Sequence, residues 1–398
     1  MRLYAFQGIH YTPQAGEAGE LAAPPYDQIN DALRDRFHAQ SPHQFVHLSK
    51  PVAPEGGDPY RFAAALHHKW LDAGIVARDP RPALYPYVIE LAGGGERLGV
   101  LGLVRYEPPS VIRPHEQTLD KPLADRTALL EAMRVDIEPI LLLSEDRGHL
   151  DALLREDLAG REPLARYRDA DGHSHVVYRI DDPGRIARYR EVLDGPAAIA
   201  DGHHRYKVGQ RFAEAHHAAP DTAAAAKLAV VTSLDSPALT IDPIHRAFKE
   251  PIDVSLLAGV IAGAEPFAGK SGHAFAAAVA AAPQPALGVW VRGRDPEIWR
   301  FDSPRLAVEV FQDTLLPALG LQAEASSDGT VVYRSLPDEL WSQVAAGDLG
   351  TGVWLPPMAP AEFAAAIADG QMLPAKSTRF LPKVMSGLVW ADHASGLL

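Results

Sequence analysis

Cysteine is missing altogether from the 398 residues, and asparagine occurs once, at Asn30. Without thiols there is no disulfide framework, no thiolate nucleophile and no cysteine-ligated metal. Long apolar runs are missing too. No stretch of about 18 residues avoids both a proline and a charge, so a membrane span is not expected. Residues Met1 to Gln14 have neither the basic start nor the apolar centre of a secretory signal, which makes a cytoplasmic protein the default expectation. A basic surplus is also absent: 38 Lys and Arg stand against 51 Asp and Glu, a net charge of −13. Phosphate backbones attract basic surfaces, so nucleic acid is not the expected partner, although a local basic pocket for a small anion stays open. What is plentiful is proline, glycine and histidine, at 34, 32 and 17 residues, in a chain of otherwise ordinary apolar content.

At about 100–200 residues per domain the length predicts more than one unit. A helix is well specified from Asp58, which can cap it. Pro59 fits its first turn, Phe62, Leu66 and Trp70 recur at helical spacing, and Gly74 can close it. The runs Ala83–Leu91 and Arg97–Tyr106 flank Gly93, Gly94 and Gly95 and read as a hairpin. A helix over Pro122–Arg134 and a buried strand within Ile137–Leu143 follow. Ala197–Ala200 is a short apolar strand leading straight into a helix, and Lys227–Leu234 reads as another buried strand. Beyond residue 250, Ala-rich helices alternate with strands at Ala286–Arg292, Ile298–Phe301 and Val331–Arg334. The expectation is a mixed α/β chain with a first domain over 1–249 and a smaller α/β domain over 250–354. A tail over 355–398 is expected to return to the first domain.

Three clusters could carry chemistry. Asp201, Gly202, His203, His204 and Arg205 lie where a strand turns into a helix. Such a turn presents free amides and the positive end of a helix dipole, a ready anion site. The plain alternative is a helix capped by Asp201 with solvent-facing histidines. His115, Glu116 and Thr118, followed by Arg126, sit in a proline-flanked loop before a helix and suit acid–base work beside an anion. The missing second histidine excludes the H-E-x-x-H zinc motif. Lys376, Ser377 and Thr378 follow Gly370 in a spacing close to a P-loop. That reading fails, because Ala375 replaces the second glycine and a helix precedes. The three remain candidate phosphate contacts, with Lys383 nearby. Tyr26 with Asp27, and His245 with Arg246, are weaker candidates. The pairs His67–His68 and His216–His217 read as surface residues. A metal site built on Asp201 with His115, Glu116, His203 and His204 is a low-ranking alternative.

In order along the chain come P-Y-D (Pro25 to Asp27), H-E-x-T (His115 to Thr118), D-G-H-H-R (Asp201 to Arg205) and P-I-H-R (Pro243 to Arg246). The last is P-x-K-S-T-x-F-x-P-K-x-x-S-G-L (Pro374 to Leu388). This series resembles the bacterial and archaeal domain-of-unknown-function 1015 family over nearly the whole length. Gln28 and Ala375 depart from its usual pattern without touching a proposed ligand group. The D-G-H-H-R turn is similar to the phosphate-binding turn of the ParB/sulfiredoxin-like fold, whose members include nucleotide switches and free-serine kinases. The resemblance implies an ATP- or ADP-dependent phosphotransferase, with Mg²⁺, acting on the hydroxyl of a small metabolite of serine-like kind. It places Gly202, His203, His204, Arg205, Arg126, Lys376, Ser377 and Thr378 on the phosphates. Glu116, His115 and Asp201 take acid–base or metal roles. The alternatives are a nucleotide-binding regulatory switch and a metal-dependent phosphohydrolase. Homodimer formation is left open.

Overall fold

The computed structural model describes residues 1–16, 18–116, 121–322, 325, 328–368, 370 and 372–397. Thr118 therefore lies outside the described residues. The chain divides into two compact units, one of Met1–Leu239 with Pro382–Leu398 and one of Thr240–Leu381. Among the described residues no helix is long and apolar enough to cross a membrane.

The first unit is built on a nine-stranded mixed sheet. Its strands are β1 (Leu3–Tyr4), β2 (Tyr85–Glu90), β3 (Glu96–Arg105), β4 (Ile112–Arg113), β5 (Ile140–Ser144), β6 (Ala165–Arg168), β7 (Ser174–Val177), β8 (Ala197–Asp201) and β9 (Ala226–Ser233). Eight of them run in the order β4-β8-β5-β9-β3-β2-β7-β6, with β1 paired to β3. The expected hairpin is β2–β3, with Tyr87 opposite Gly99 and Ile89 opposite Arg97. β9 lies parallel to β5 and antiparallel to β3. All eight of its residues are buried, which is why its apolar run does not alternate. Leu142, Val231, Val100, Leu154 and Tyr189 share one core, so helices His149–Leu158 and Pro183–Val192 cover one face of this sheet.

Three helices bear on the site: α1 (Pro59–Asp72), α2 (Lys121–Met133) and α3 (His203–Ala215). The Asp58 side chain caps α1, accepting from the amides of Tyr60 and Arg61 at 2.9 and 3.3 Å. The buried stripe of α1 is Ala63, His67 and Trp70. His67 is thus a core residue and not a surface one, since its Nε2 accepts the indole N–H of Trp390 at 3.1 Å. Burial lowers its pKa to about 4 and keeps it neutral.

The second unit holds a six-stranded antiparallel sheet in the order β11-β13-β12-β15-β10-β14. The strands are β10 (His245–Phe248), β11 (Gly263–Pro266), β12 (Ala286–Val291), β13 (Glu297–Arg300), β14 (Val331–Arg334) and β15 (Thr351–Trp354). Phe248, Val289, Trp299, Phe311 and Val353 form a core on one side. Phe275, Leu340, Val344 and Trp354 form a second.

Candidate functional site

β8 ends at Asp201, and Gly202 turns the chain into α3 with φ +96°. That conformation disfavours any side chain, and a Cβ here would also lie 2.6 Å from Ile140 Cγ2. Gly202 is the N-cap residue of α3 and has no side chain with which to cap it. Asp201 is therefore not the cap. Its Oδ1 pairs with Lys383 at 2.5 Å, and its Oδ2 accepts from Arg205. Burial alone would raise the Asp201 carboxyl, but Lys383 and Arg205 override it and hold it far below the carboxylate range. Asp201 remains ionised, and as a proton acceptor it is weak.

Arg205 is buried, with a second donor on the carbonyl of Pro139. Burial disfavours its charge, yet Asp201, Asp27, Glu138 and Tyr26 keep the guanidinium above its ordinary value. His203 packs edge-on against His115 with ring centroids 4.6 Å apart, and its Nε2 accepts the His115 backbone N–H at 3.3 Å. An accepting Nε2 carries no proton, so Nδ1 is the protonated nitrogen of a neutral ring. Burial, reinforced by His115, depresses His203 well below the ordinary histidine value. His115 is itself brought down to about 4 by burial. His203, expected on the phosphates, and His115, expected in acid–base work, are both neutral. His204 is half-buried in the same turn, and Glu116 is half-buried beside His115.

A second layer of charge holds the P-Y-D turn. Glu138 Oε1 accepts the Tyr26 amide at 3.2 Å, and its Oε2 faces Arg126 at 3.7 Å. Arg126 stacks over the Tyr26 ring at 4.2 Å and donates to the Ser49 carbonyl at 2.8 Å. Burial pushes the Glu138 carboxyl up against the pull of Arg126 and Arg205, and pushes the Tyr26 phenol up to about 12. Lys227 pairs with Asp136 and donates to the Glu138 carbonyl at 2.9 Å. Arg97 on β3 is fully buried; burial lowers its pKa to about 10, while Tyr87 and Asp201 favour its charge. Glu138, Asp136, Lys227 and Arg97 were not among the residues singled out from the sequence. Lys227 is a lone charge in an apolar run, Asp136 and Glu138 alternate with apolar residues, and Arg97 heads the apolar stretch from Leu98 to Val104; a buried charge requires a partner.

The first unit thus brings together Tyr26, Asp27, His115, Arg126, the Asp201–Arg205 turn and Lys383. His245 and Arg246 fall in the second unit with Lys376, Ser377 and Thr378. There the His245 ring accepts the Leu355 amide at 3.2 Å. Arg246 stacks on Tyr333 at 4.7 Å and donates to the Ala375 carbonyl at 3.2 Å. Lys376 takes φ +60°, and Ser377 Oγ donates to the Pro374 carbonyl. Arg246 is therefore a brace for the A-K-S-T turn.

The donor set at Asp201 does not suit a bound cation, because both its oxygens already face positive charge. Among the described residues, three ligand-type side chains come within 4.8 Å of one another only at Asp169, Asp171 and His173, on the turn between β6 and β7. Asp169 spends one oxygen there on the amides of Asp171 and His173, at 3.0 and 2.8 Å.

This arrangement defines an α/β protein with a buried ion-pair cluster behind a helix head that opens on a glycine. A sequence model of the family described as "Protein of unknown function (DUF1015)" matches residues 3–268, and the chain belongs to that family. Among solved structures, a free serine kinase in complex with AMP is similar at 15% identity and a TM-score of 0.38, over 71% of this chain and 87% of its own. A conserved hypothetical protein from Pyrococcus furiosus is similar at 14% identity and TM-score 0.37, over 71% of this chain and 90% of its own. A C-terminally truncated SbnI from Staphylococcus aureus has 13% identity and TM-score 0.40, covering 73% and 86%. No curated protein matches the chain.

Proposed function

We propose that the chain is a nucleotide-dependent phosphotransferase, a kinase using ATP or ADP to phosphorylate the hydroxyl of a small metabolite. The observation that carries this reading is the head of α3. A turn that only glycine fits opens a helix whose N-cap residue brings no capping side chain, with the Lys383–Asp201–Arg205 triple directly behind it. The amides of a helix start, a helix dipole and fixed cations together favour a phosphate-sized anion. Phosphoryl transfer needs chiefly such positioning and charge. In this reading Asp201 orients Lys383 and Arg205, and His203 offers an uncharged Nδ1–H donor. Glu116, beside His115, is the candidate to take the hydroxyl proton. Any magnesium arrives with the nucleotide as part of the substrate, and no step is assigned to a metal on Asp201. The metal-dependent hydrolase is disfavoured for the same reason.

Asp201→Asn separates the roles. The amide keeps the shape and removes a negative charge from beside the phosphates. Nucleotide affinity should hold or rise while turnover falls by about 10²-fold or more, the scale of losing one preorganised charged contact. Titration calorimetry with ATP and ADP, alongside consumption assays over a panel of small alcohols and hydroxyamino acids, measures both. Equal loss of affinity and turnover would remove the assigned role. Nucleotide binding with no acceptor dependence would favour the regulatory switch instead.

A further inference from the structure

Three side chains on or beside the main sheet form a polar chain, buried at two of its three members, that the proposed reaction does not use. Tyr87 on β2 and His175 on β7 share one face, since His175 lies opposite Ile89, two residues on from Tyr87. His175 is wholly buried and Tyr87 nearly so. His175 Nε2 meets Asp169 Oδ2 at 2.9 Å, and its Nδ1 meets the Tyr87 hydroxyl. The Tyr87 oxygen in turn receives the Met385 amide at 3.4 Å.

The direction of every bond in this chain follows. Burial would raise Asp169, but His175 and the His173 amide hold it below the ordinary carboxylate value. An ionised carboxylate only accepts, so His175 Nε2 carries its proton. Burial lowers His175, Asp169 opposes this, and Arg97 and His173 add to the depression. The ring is neutral, its Nδ1 is a bare acceptor, and Tyr87 donates to it. The tyrosine oxygen is then left to accept from Met385.

Met385 stands two residues beyond Lys383, the partner of Asp201. The segment is pinned on its far side, where Ser386 exchanges backbone bonds with Ala23 at 2.8 and 3.1 Å. Gly387, at φ +82°, lies so close to Phe45 that a Cβ would come within 2.6 Å. The Tyr87 bond fixes the same segment on the Lys383 side. We propose that Asp169, His175 and Tyr87 are positioning residues that set Lys383 against Asp201. Protonation of His175 at Nδ1 would turn its acceptor into a donor, force Tyr87 to reverse, and take the acceptor from Met385. The titratable and charged groups facing His175 are Asp169 and His173 from its own hairpin, Tyr87 from β2 and Arg97 from β3. The functional half of this inference rests on the reading of the α3 head as a nucleotide site.

The test uses the full chain as wild type, Tyr87→Phe, Lys383→Met and the double variant, with His175→Gln as a second break in the chain. Hydrogen exchange of the peptide around residues 382–388 and the dissociation constant for ADP are measured between pH 5 and 8. Tyr87→Phe and His175→Gln should speed exchange at Met385 while β9 stays protected. Each should weaken ADP binding several-fold in the wild-type background and not in Lys383→Met. Wild-type affinity should fall more steeply on acidification than that of Tyr87→Phe. Unchanged exchange at Met385 overturns the relay, and equal weakening in both backgrounds overturns its route through Lys383. Faster exchange in a chain that binds no ADP supports the relay and overturns the nucleotide reading.

Discussion

Gly202 joins local geometry to the proposed chemistry, because its positive φ and its closeness to Ile140 each exclude a side chain. Gly202→Ala should cost about 1–3 kcal/mol of stability, the scale of a strained backbone position, read as a shift in denaturant midpoint at constant slope. The D-G-H-H-R turn was legible in the sequence because everything that makes it is local: an apolar strand, a glycine, a helix start. The charges behind it were not. Lys383 reaches Asp201 across 182 residues and Lys227 reaches Asp136 across 91, distances over which spacing says nothing. The available signal was a charge set between apolar neighbours. Glu138 stands between Ile137 and Pro139, and Lys227 opens the run Leu228 to Val231, so each announces a buried partner without naming it. Neutral His203 was illegible for the same reason, since its state depends on burial and on His115, 88 residues away.

α3 is held against the sheet side by Gly209, where a Cβ would come within 2.1 Å of the Tyr106 hydroxyl oxygen and 3.0 Å of its ring. Gly209→Ala should therefore destabilise by about 1–3 kcal/mol through overpacking. Tyr106→Phe should recover part of that loss, because the nearest clash is with the hydroxyl. Equilibrium unfolding of the two single variants and the double variant gives the coupling. A Gly209→Ala protein as stable as wild type would show that α3 moves freely. Elements with strong periodicity or clear punctuation were legible, as α1 and the β2–β3 hairpin show. The strand Thr351–Trp354 was not, because four residues before a Pro-Pro pair carry too little pattern. Only its neighbours β10 and β12 complete it.

For the whole molecule, composition excluded disulfides correctly by arithmetic, and the sequence resemblance carried the family. Composition could not show that 17 histidines divide into surface and core. His67, His115 and His393 in the first unit are buried with pKa values lowered to about 4, and His245 in the second to about 3. The unfolded chain takes up these protons as pH falls below about 6.5, whereas the folded chain resists until about 4. Stability is thus fully present above pH 6.5 and falls steadily toward pH 4. The thermal midpoint should be clearly lower at pH 5 than at pH 7.5. An unchanged midpoint would mean that these rings are not buried in their neutral form.

The central claim is that a nucleotide phosphate seats on the head of α3. Hydrogen exchange of the intact chain with and without saturating ADP tests it at the residues concerned. The account predicts added protection concentrated in the peptide spanning Asp201–Tyr206, with a smaller gain around Lys383. Bound ADP that leaves Asp201–Tyr206 unprotected while protecting other segments would contradict it.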